Sequence, residues 1–251
     1  MVELKELMVY CDQLLNTCMF RDYAPNGLQV EGRPKVRKIV TGVTASLALI
    51  EAAVAVDADL VMVHHGYFWK GETPCLSGIK RQRIARLLAH DISLAAYHLP
   101  LDAHPELGNN ARLAQVLDFS VEGRFGRDGD EVAMYGRLPV PMSSAQLADH
   151  IARRLQREPL HLPGTGDKIE RIGWCSGAAQ GYIEAAHGLG LQAFVSGEVS
   201  EHTTHFAREA GIHYFGAGHH ATERYGIAAL GAHLASRWSL QHEFIDIDNP
   251  V

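Results

Sequence analysis

An internal repeat constrains the fold of this chain more than any other feature. Ile50-Glu-Ala-Ala53 recurs as Ile183-Glu-Ala-Ala186, an offset of 133 residues. The same offset places Lys38-Ile39 on Arg171-Ile172, and Leu60-Val-Met-Val63 on Ala193-Phe-Val-Ser196. Four identical residues alone are weak; an unbroken register of strand, helix and strand around them is not. Across a gap, Ala85-Arg86 matches Ala207-Arg208, and the apolar stretch from Ile92 matches that from Ile212. The second copy lacks most of residues 67–79. In the first copy, apolar strands over 38–44, 60–63 and 92–97 alternate with helices over 46–56 and 81–90. This alternation predicts the α/β class with a largely parallel layer.

A length of 251 residues allows one eightfold barrel or two smaller domains. Only about three strand–helix units can be counted per half, which argues against the barrel's eight. The expected organisation is a first α/β repeat over 1–111, a connecting segment over 112–170 and a second repeat over 171–251. In the connecting segment, 132–138 reads as a strand or hairpin arm. Ser143-x-x-Gln146 reads as a capping box that opens a helix reaching residue 157. At the N-terminus, Leu4, Leu7, Met8, Cys11, Leu14, Leu15 and Cys18 follow helical spacing, which would place both cysteines on one core face.

Composition excludes several classes. Twenty-three Lys+Arg against 29 Asp+Glu give a net charge of −6, the wrong sign for broad contact with a nucleic-acid polymer. At 47% hydrophobic and 21% charged, the chain is an ordinary folded globule. No stretch approaches the roughly 18–20 apolar residues of a membrane span. The acidic N-terminal residues, without an apolar run, do not read as a signal peptide. Cysteines 11, 18, 75 and 175 form no C-x-x-C pair, so reduced thiols in a cytoplasmic protein are expected.

Fifteen histidines are the compositional anomaly, and position sorts them. Open α/β sheets bind ligands beyond the carboxyl ends of their strands. Three polar clusters fall there: His64-His65-Gly66, His98-Leu-Pro-Leu-Asp102-Ala-His104, and Gly218-His219-His220-Ala-Thr-Glu223. Imidazole and carboxylate together suit Zn, Fe, Mn or Ni. His219 and Glu223 would share one helix face. His64 and His65 diverge from an extended backbone, which fits two cations better than one. Asp102 or Glu223 could bridge such a pair, as in hydrolytic two-metal sites. The bland alternatives are a capped strand end, a helix N-cap at Asp102, and a solvated i,i+4 pair at His219 and Glu223.

His98, His104 and His220 adjoin these residues as orienting partners or acid–base groups. His90, His150, His161, His187, His205, His213, His233 and His242 read as structural or exposed. Glu198, in Ser196-Gly-Glu198, matches the His64-His65 position in the second repeat and is a candidate to contact substrate or to support the metal ligands; the bland alternative is a solvated loop residue. The loop Gly66-Tyr-Phe-Trp69-Lys70-Gly71 offers aromatic faces and a cation to a planar or phosphorylated ligand; alternatively it anchors itself or an oligomer contact. There is no P-loop, no strand–G-x-G-x-x-G–helix and no G-x-S-x-G elbow.

The strings Asp22-Tyr-Ala-Pro-Asn-Gly-Leu-Gln-Val30, Val63-His-His-Gly-Tyr-Phe-Trp-Lys-Gly71, His98-Leu-Pro-Leu-Asp-Ala-His-Pro105, Ser196-Gly-Glu198 and Gly218-His-His-Ala-Thr-Glu223 together resemble the Nif-three-like family. Its members carry the name GTP cyclohydrolase 1 type 2 homologue, and the chain is most similar to the short bacterial YbgI-type members. The resemblance runs from about residue 20 to the C-terminus. It implies two intertwined, duplicated α/β repeats with a dinuclear metal centre between them. It implies His64, His65, Asp102, His219 and Glu223 as ligands to two divalent ions (Zn, Fe or Mn), with Glu223 as the bridge. It further implies a toroidal homohexamer, a trimer of dimers. The implied activity is metal-activated attack of water on a nucleotide such as GTP; on chemical grounds His98, His104 or His220 could deliver the proton, and Trp69, Lys70 and Glu198 are the candidates to contact substrate. A phosphoesterase acting on nucleotides and a non-catalytic metal-binding assembly are the alternatives.

Overall fold

The computed structural model describes residues 1–127 and 130–251. They form two compact units, Met1–Leu107 with Gly226–Asp248, and Gly108–Tyr225 with Asn249–Val251. Among the described residues no helix is long and apolar enough to cross a membrane.

Unit 1 is built on a five-stranded sheet in the order Gln241–Phe244, Lys38–Thr44, Leu60–His65, Ser93–Ala96, Gly27–Val30. All neighbours are parallel except the last pair. Its central strands are apolar runs because both faces are covered, as parallel sheets require. One face sends Ile39, Leu60, Met62 and Ala95 against Leu4, Leu7 and Cys11 of helix Leu4–Leu14, and against Ile227, Leu230 and Leu234. The other sends Val40, Val61, Val63 and Leu94 against Leu49, Ile50 and Ala53 of helix Leu47–Ala55, and Ile84 and Leu87 of helix Gly78–Ala89.

Unit 2 carries a six-stranded sheet in the order Ser120–Arg127, Asp130–Met142, Ile169–Cys175, Ala193–Ser196, His213–Gly216, Leu160–Leu162. Three parallel strands lie between antiparallel flanks. The expected arm over 132–138 is the centre of the long strand Asp130–Met142. Ser143 and Gln146 form the expected capping box, and helix Ser144–Leu155 places Leu147, Ile151 and Leu155 against Ile172, Trp174 and Val195.

The duplication extends to individual hydrogen bonds. Ile39 pairs with Leu60 in unit 1, and Ile172 with Ala193 in unit 2, both shifted by 133. Helix Leu47–Ala55 closes with Ala58 N–H donating to Ala53 C=O; helix Ile183–Gly188 closes with Leu191 N–H donating to Ala186 C=O. The Asp59 carboxylate accepts from the N–H groups of Arg37 (2.7 Å) and Lys38 (3.0 Å). At the equivalent place, Gln192 Oε1 accepts from Glu170 N–H (2.8 Å) and Arg171 N–H (2.9 Å). Each side chain thus caps the start of the neighbouring parallel strand.

One expectation fails. Helix Leu4–Leu14 ends before Cys18, which lies in the 3-10 turn Thr17–Met19 and is exposed, whereas Cys11 is buried. Asn16, with φ 50°, breaks the helical path, so the seven-residue spacing does not put both cysteines on one face. All four cysteines are free thiols.

Asp59 is 1% exposed and also accepts from Arg33 Nη1 at 2.8 Å. Burial alone would raise its pKa, but the two amides and the guanidinium prevail and hold it below the usual carboxylate value. A depressed carboxyl stabilises the fold above its unfolded value of 3.8, and that stability disappears as pH falls through the folded value. Asp59→Ala is expected to cost about 3 kcal/mol in urea unfolding at pH 7. Asp59→Asn is expected to flatten the stability–pH curve below pH 4, roughly the unfolded carboxylate pKa. A curve unchanged from wild type would count against the clamp.

Candidate metal centre

In unit 1, strand Leu60–His65 ends in the two histidines. His64 is fully buried, and its Nδ1 lies 2.8 Å from the Tyr97 carbonyl oxygen. A carbonyl only accepts, so Nδ1 carries a proton and Nε2 is the nitrogen turned toward other partners. That Nε2 lies 3.5 Å from Asp102 Oδ1. Asp102 is 5% exposed and sits inside the short helix Leu99–Ala103, whose N-cap is His98; Asp102 is therefore not the N-cap. His65 is half-buried, with Nδ1 3.3 Å from Thr44 Oγ1. His64, His65 and His98 each offer a nitrogen within 4.8 Å of the others, a group that could hold a metal ion.

His98 is fixed by a residue outside the expected set. Its Nδ1 lies 2.7 Å from Asp22 Oδ1. Asp22 also accepts from Asn26 Nδ2 and Leu99 N–H, both at 2.9 Å, and from Tyr23 N–H. Burial works to raise the Asp22 pKa, but hydrogen bonding and charge from His98, with help from Asn26 and Tyr23, bring it down to about 2. The pairing leaves His98 Nε2 available to a ligand or a proton. The Trp69 ring meets His98 edge-on, with centroids 5.0 Å apart, and its Nε1–H donates to the Gly66 carbonyl at 3.1 Å.

In unit 2, helix His219–Trp238 begins at His219, so His219 and Glu223 share a face one turn apart. His219 Nε2 lies 3.0 Å from Glu223 Oε2, and its Nδ1 lies 2.7 Å from Glu198 Oε1. Glu223 is 3% exposed, which removes the solvated-pair alternative. Burial pushes the His219 pKa down, but Glu223 and then Glu198 overcome it and lift the value to about 9. Glu198 is held in turn by Tyr214, whose hydroxyl donates to the Glu198 carbonyl.

Both units therefore repeat one device: a histidine tied at Nδ1 presents Nε2 to a buried carboxylate. Burying a carboxylate costs several kcal/mol unless it is paired or coordinates a metal. The donor set fits a borderline divalent cation, since every group is imidazole or carboxylate. Gly177 adds a steric test. A Cβ built there would lie 2.0 Å from Glu223 Oε1 and 3.2 Å from His219 Nε2. Glycine thus keeps clear the space around both donor atoms.

Comparison with known proteins places the whole chain in one family. Residues 2–250 match the model of the Duf34/NIF3 (NGG1p interacting factor 3) family. A protein of Allochromatium vinosum named GTP cyclohydrolase 1 type 2 homolog is 55% identical over 252 residues, covering 100% of this chain and 98% of the relative. A Pseudomonas aeruginosa protein of the same name is 54% identical, covering 100% and 99%. The solved structure of ybgI, described as of unknown function, superposes with TM-score 0.96 at 50% identity over the whole of both chains. TTHA1606 of Thermus thermophilus superposes at 0.91 with 33% identity, again over the whole of both chains.

The chain belongs to the Duf34/NIF3 family.

Within this Duf34/NIF3 chain the other expected residues divide clearly. Glu198 orients His219. Trp69 flanks His98 and His65, the latter with ring centroids 5.9 Å apart. Lys70 is exposed, and its N–H donates to the Tyr23 carbonyl at 2.6 Å. His104 Nδ1 accepts from Glu106 N–H (3.2 Å) and Leu107 N–H (3.0 Å), a turn-stabilising position. His220 is 8% exposed, and its N–H donates to a backbone oxygen of Val251 at 3.0 Å. Several remaining histidines make structural bonds: His233 with Tyr10, His242 with Thr41, and His150 with the Leu117 carbonyl. Sequence reasoning missed Asp22 and Gly177. The spacing Asp22-x-x-x-Asn26 in a turn-rich loop was the available signal for the first. Nothing local marks the second.

Gly177 also has φ +66°, so a side chain there is strained as well as obstructed. Gly177→Ala is expected to lower thermal-unfolding stability by about 1–3 kcal/mol. Gly188→Ala, on the exposed end of a helix with nothing within 4 Å of the added carbon, is the control. It should fall within about 1 kcal/mol of wild type, on the stabilising side. Equal effects for the two variants would remove the steric role of Gly177.

Proposed function

We propose that this protein is a dinuclear-metal hydrolase in which water attacks a nucleotide such as GTP. The observation that carries the reading is the repeated device, in which His64 and His219 are each locked at Nδ1 and present Nε2 to buried Asp102 and Glu223. Such locking sets tautomer and ring direction before any ion arrives, as in carboxylate–histidine–zinc arrangements. In this proposal His64, His65, Asp102, His219 and Glu223 are the residues that would hold two divalent cations (Zn, Fe or Mn), Glu223 being the carboxylate that could serve both. Two bound cations would supply Lewis acidity and an activated water.

The chain's own residues supply the rest. Asp22 holds His98 by Nδ1, so His98 Nε2 is the group that delivers a proton to a ring nitrogen of the substrate. The chemistry this arrangement suits is attack of one water at guanine C8, which breaks one C8–N bond and opens the ring to a formamide, followed by a second water that breaks the other C–N bond and releases formate. Trp69, ordered against His98, gives a planar base an aromatic neighbour. The relatives' shared name supports the nucleotide reading. Assembly as a homohexamer, a trimer of dimers, is part of the proposal, and native mass spectrometry at six times the chain mass would support it.

The test combines metal analysis with product analysis. Wild type is expected to retain two ions per chain and to release formate from GTP. His65→Ala and Glu223→Gln should each lose metal affinity and lower kcat/KM by roughly 100-fold, the scale set by ligand and orienting groups. Hydrolysis of a model phosphoester without turnover of GTP would point to a phosphoesterase. Inertness with two ions bound would point to a metal-binding assembly. A protein that takes up no divalent ion would overturn the reading.

A further inference from the structure

We infer that unit 2 carries a pocket for the phosphate end of a ligand, anchored by Arg157. A cavity of about 370 Å³ is lined by Arg157, Leu160, Glu198, Val199, Pro250 and Val251, with two glycines. That volume lies within the range of small-ligand sites and suits a nucleoside phosphate. It adjoins the proposed ligand set through Glu198, whose Oε1 is engaged with His219 Nδ1. The inference rests on the nucleotide reading above and specifies which part of the substrate binds here.

Three observations give the cavity its chemistry. Arg157 is half-buried, and its guanidinium lies over Gly218, where a built Cβ would be 2.4 Å from Nε. Gly218, with φ +97°, is therefore both the turn into helix His219–Trp238 and the seat of the guanidinium. The Arg157 Nε is sealed from solvent and makes no hydrogen bond among the described residues. Arg157 lines the cavity, and its guanidinium carries further N–H donors with which to pair an oxyanion. The first turn of the 20-residue helix already draws an oxygen. His220 N–H donates to a backbone oxygen of Val251, a cavity-lining residue, at 3.0 Å. Helix N-termini favour such oxygens. Leu160, 52% exposed, and Val199, 36% exposed, give the cavity an apolar rim for the body of the ligand.

The ligand class is a phosphate ester with a planar or apolar body. The test is calorimetry on full-length protein stripped of metal with EDTA, using GMP, guanosine and inorganic phosphate as probes. GMP is expected to bind at least roughly tenfold more tightly than guanosine, because a charge-assisted pair to phosphate is lost without the ester. Arg157→Ala should remove that advantage while guanosine binding stays unchanged. Arg157→Lys should restore part of it, since charge survives but the two-pronged guanidinium does not. A thermal melt checks that each variant folds, and Arg157→Gln replaces Arg157→Ala if the latter does not. Equal affinity for GMP and guanosine in wild type, or no loss in Arg157→Ala, would overturn the proposal. Because no metal is present, that outcome is separate from failure of the hydrolase reading, which metal content and formate release decide.

Discussion

The register of the parallel strands is the constraint on which the rest of the molecule depends. In each sheet a polar side chain sets it. Asp59 and Gln192 each accept from two consecutive N–H groups at the start of the neighbouring strand. A slip of one residue would exchange the two faces of a strand, because side chains alternate. Both faces are buried here, so such a slip would misplace an entire core layer as well as the strand's end. With register set, Leu60–His65 delivers His64 inward beside Tyr97. Ala193–Ser196 likewise delivers Glu198 just past its end, beside His219. Chemistry at the strand ends is a consequence of hydrogen bonds at the strand starts.

The second organising element is the treatment of buried carboxylates. Asp102 and Glu223 are nearly inaccessible, and in water-poor surroundings a lone carboxylate is strongly disfavoured. Each faces an imidazole whose opposite nitrogen is already committed. Asp22 shows the same logic with a different outcome. Several donors surround it, so it stays ionised to about pH 2 and serves to hold His98. Glu198 likewise orients His219 and touches the Arg157 cavity.

Much of this was legible in the sequence because repetition and periodicity are local properties. The offset of 133 predicted paired strands, and the structure reproduces it down to the bonds of Ala53 and Ala186. The capping box at Ser143 and the helical spacing of His219 and Glu223 were equally local. Cys18 was misplaced because a left-handed residue at Asn16 ends the first helix, and apolar spacing alone does not reveal such a break. Gly177 was invisible because its role depends on a carboxylate 46 positions later, in Glu223.

By itself the sequence determined the class of fold, the duplication, the family resemblance and the residue types at the strand ends. These follow from the order and spacing of side chains, which no folding step alters. Tertiary structure alone decided which nitrogen of each histidine is committed, that Asp22 rather than a nearer residue holds His98, and that the chain after Tyr225 returns to unit 1. It also decided that Arg157 lies over Gly218. The physical reason is range: a hydrogen bond or a steric gap is set within about 3 Å in space, while the residues that make it lie tens of positions apart along the chain.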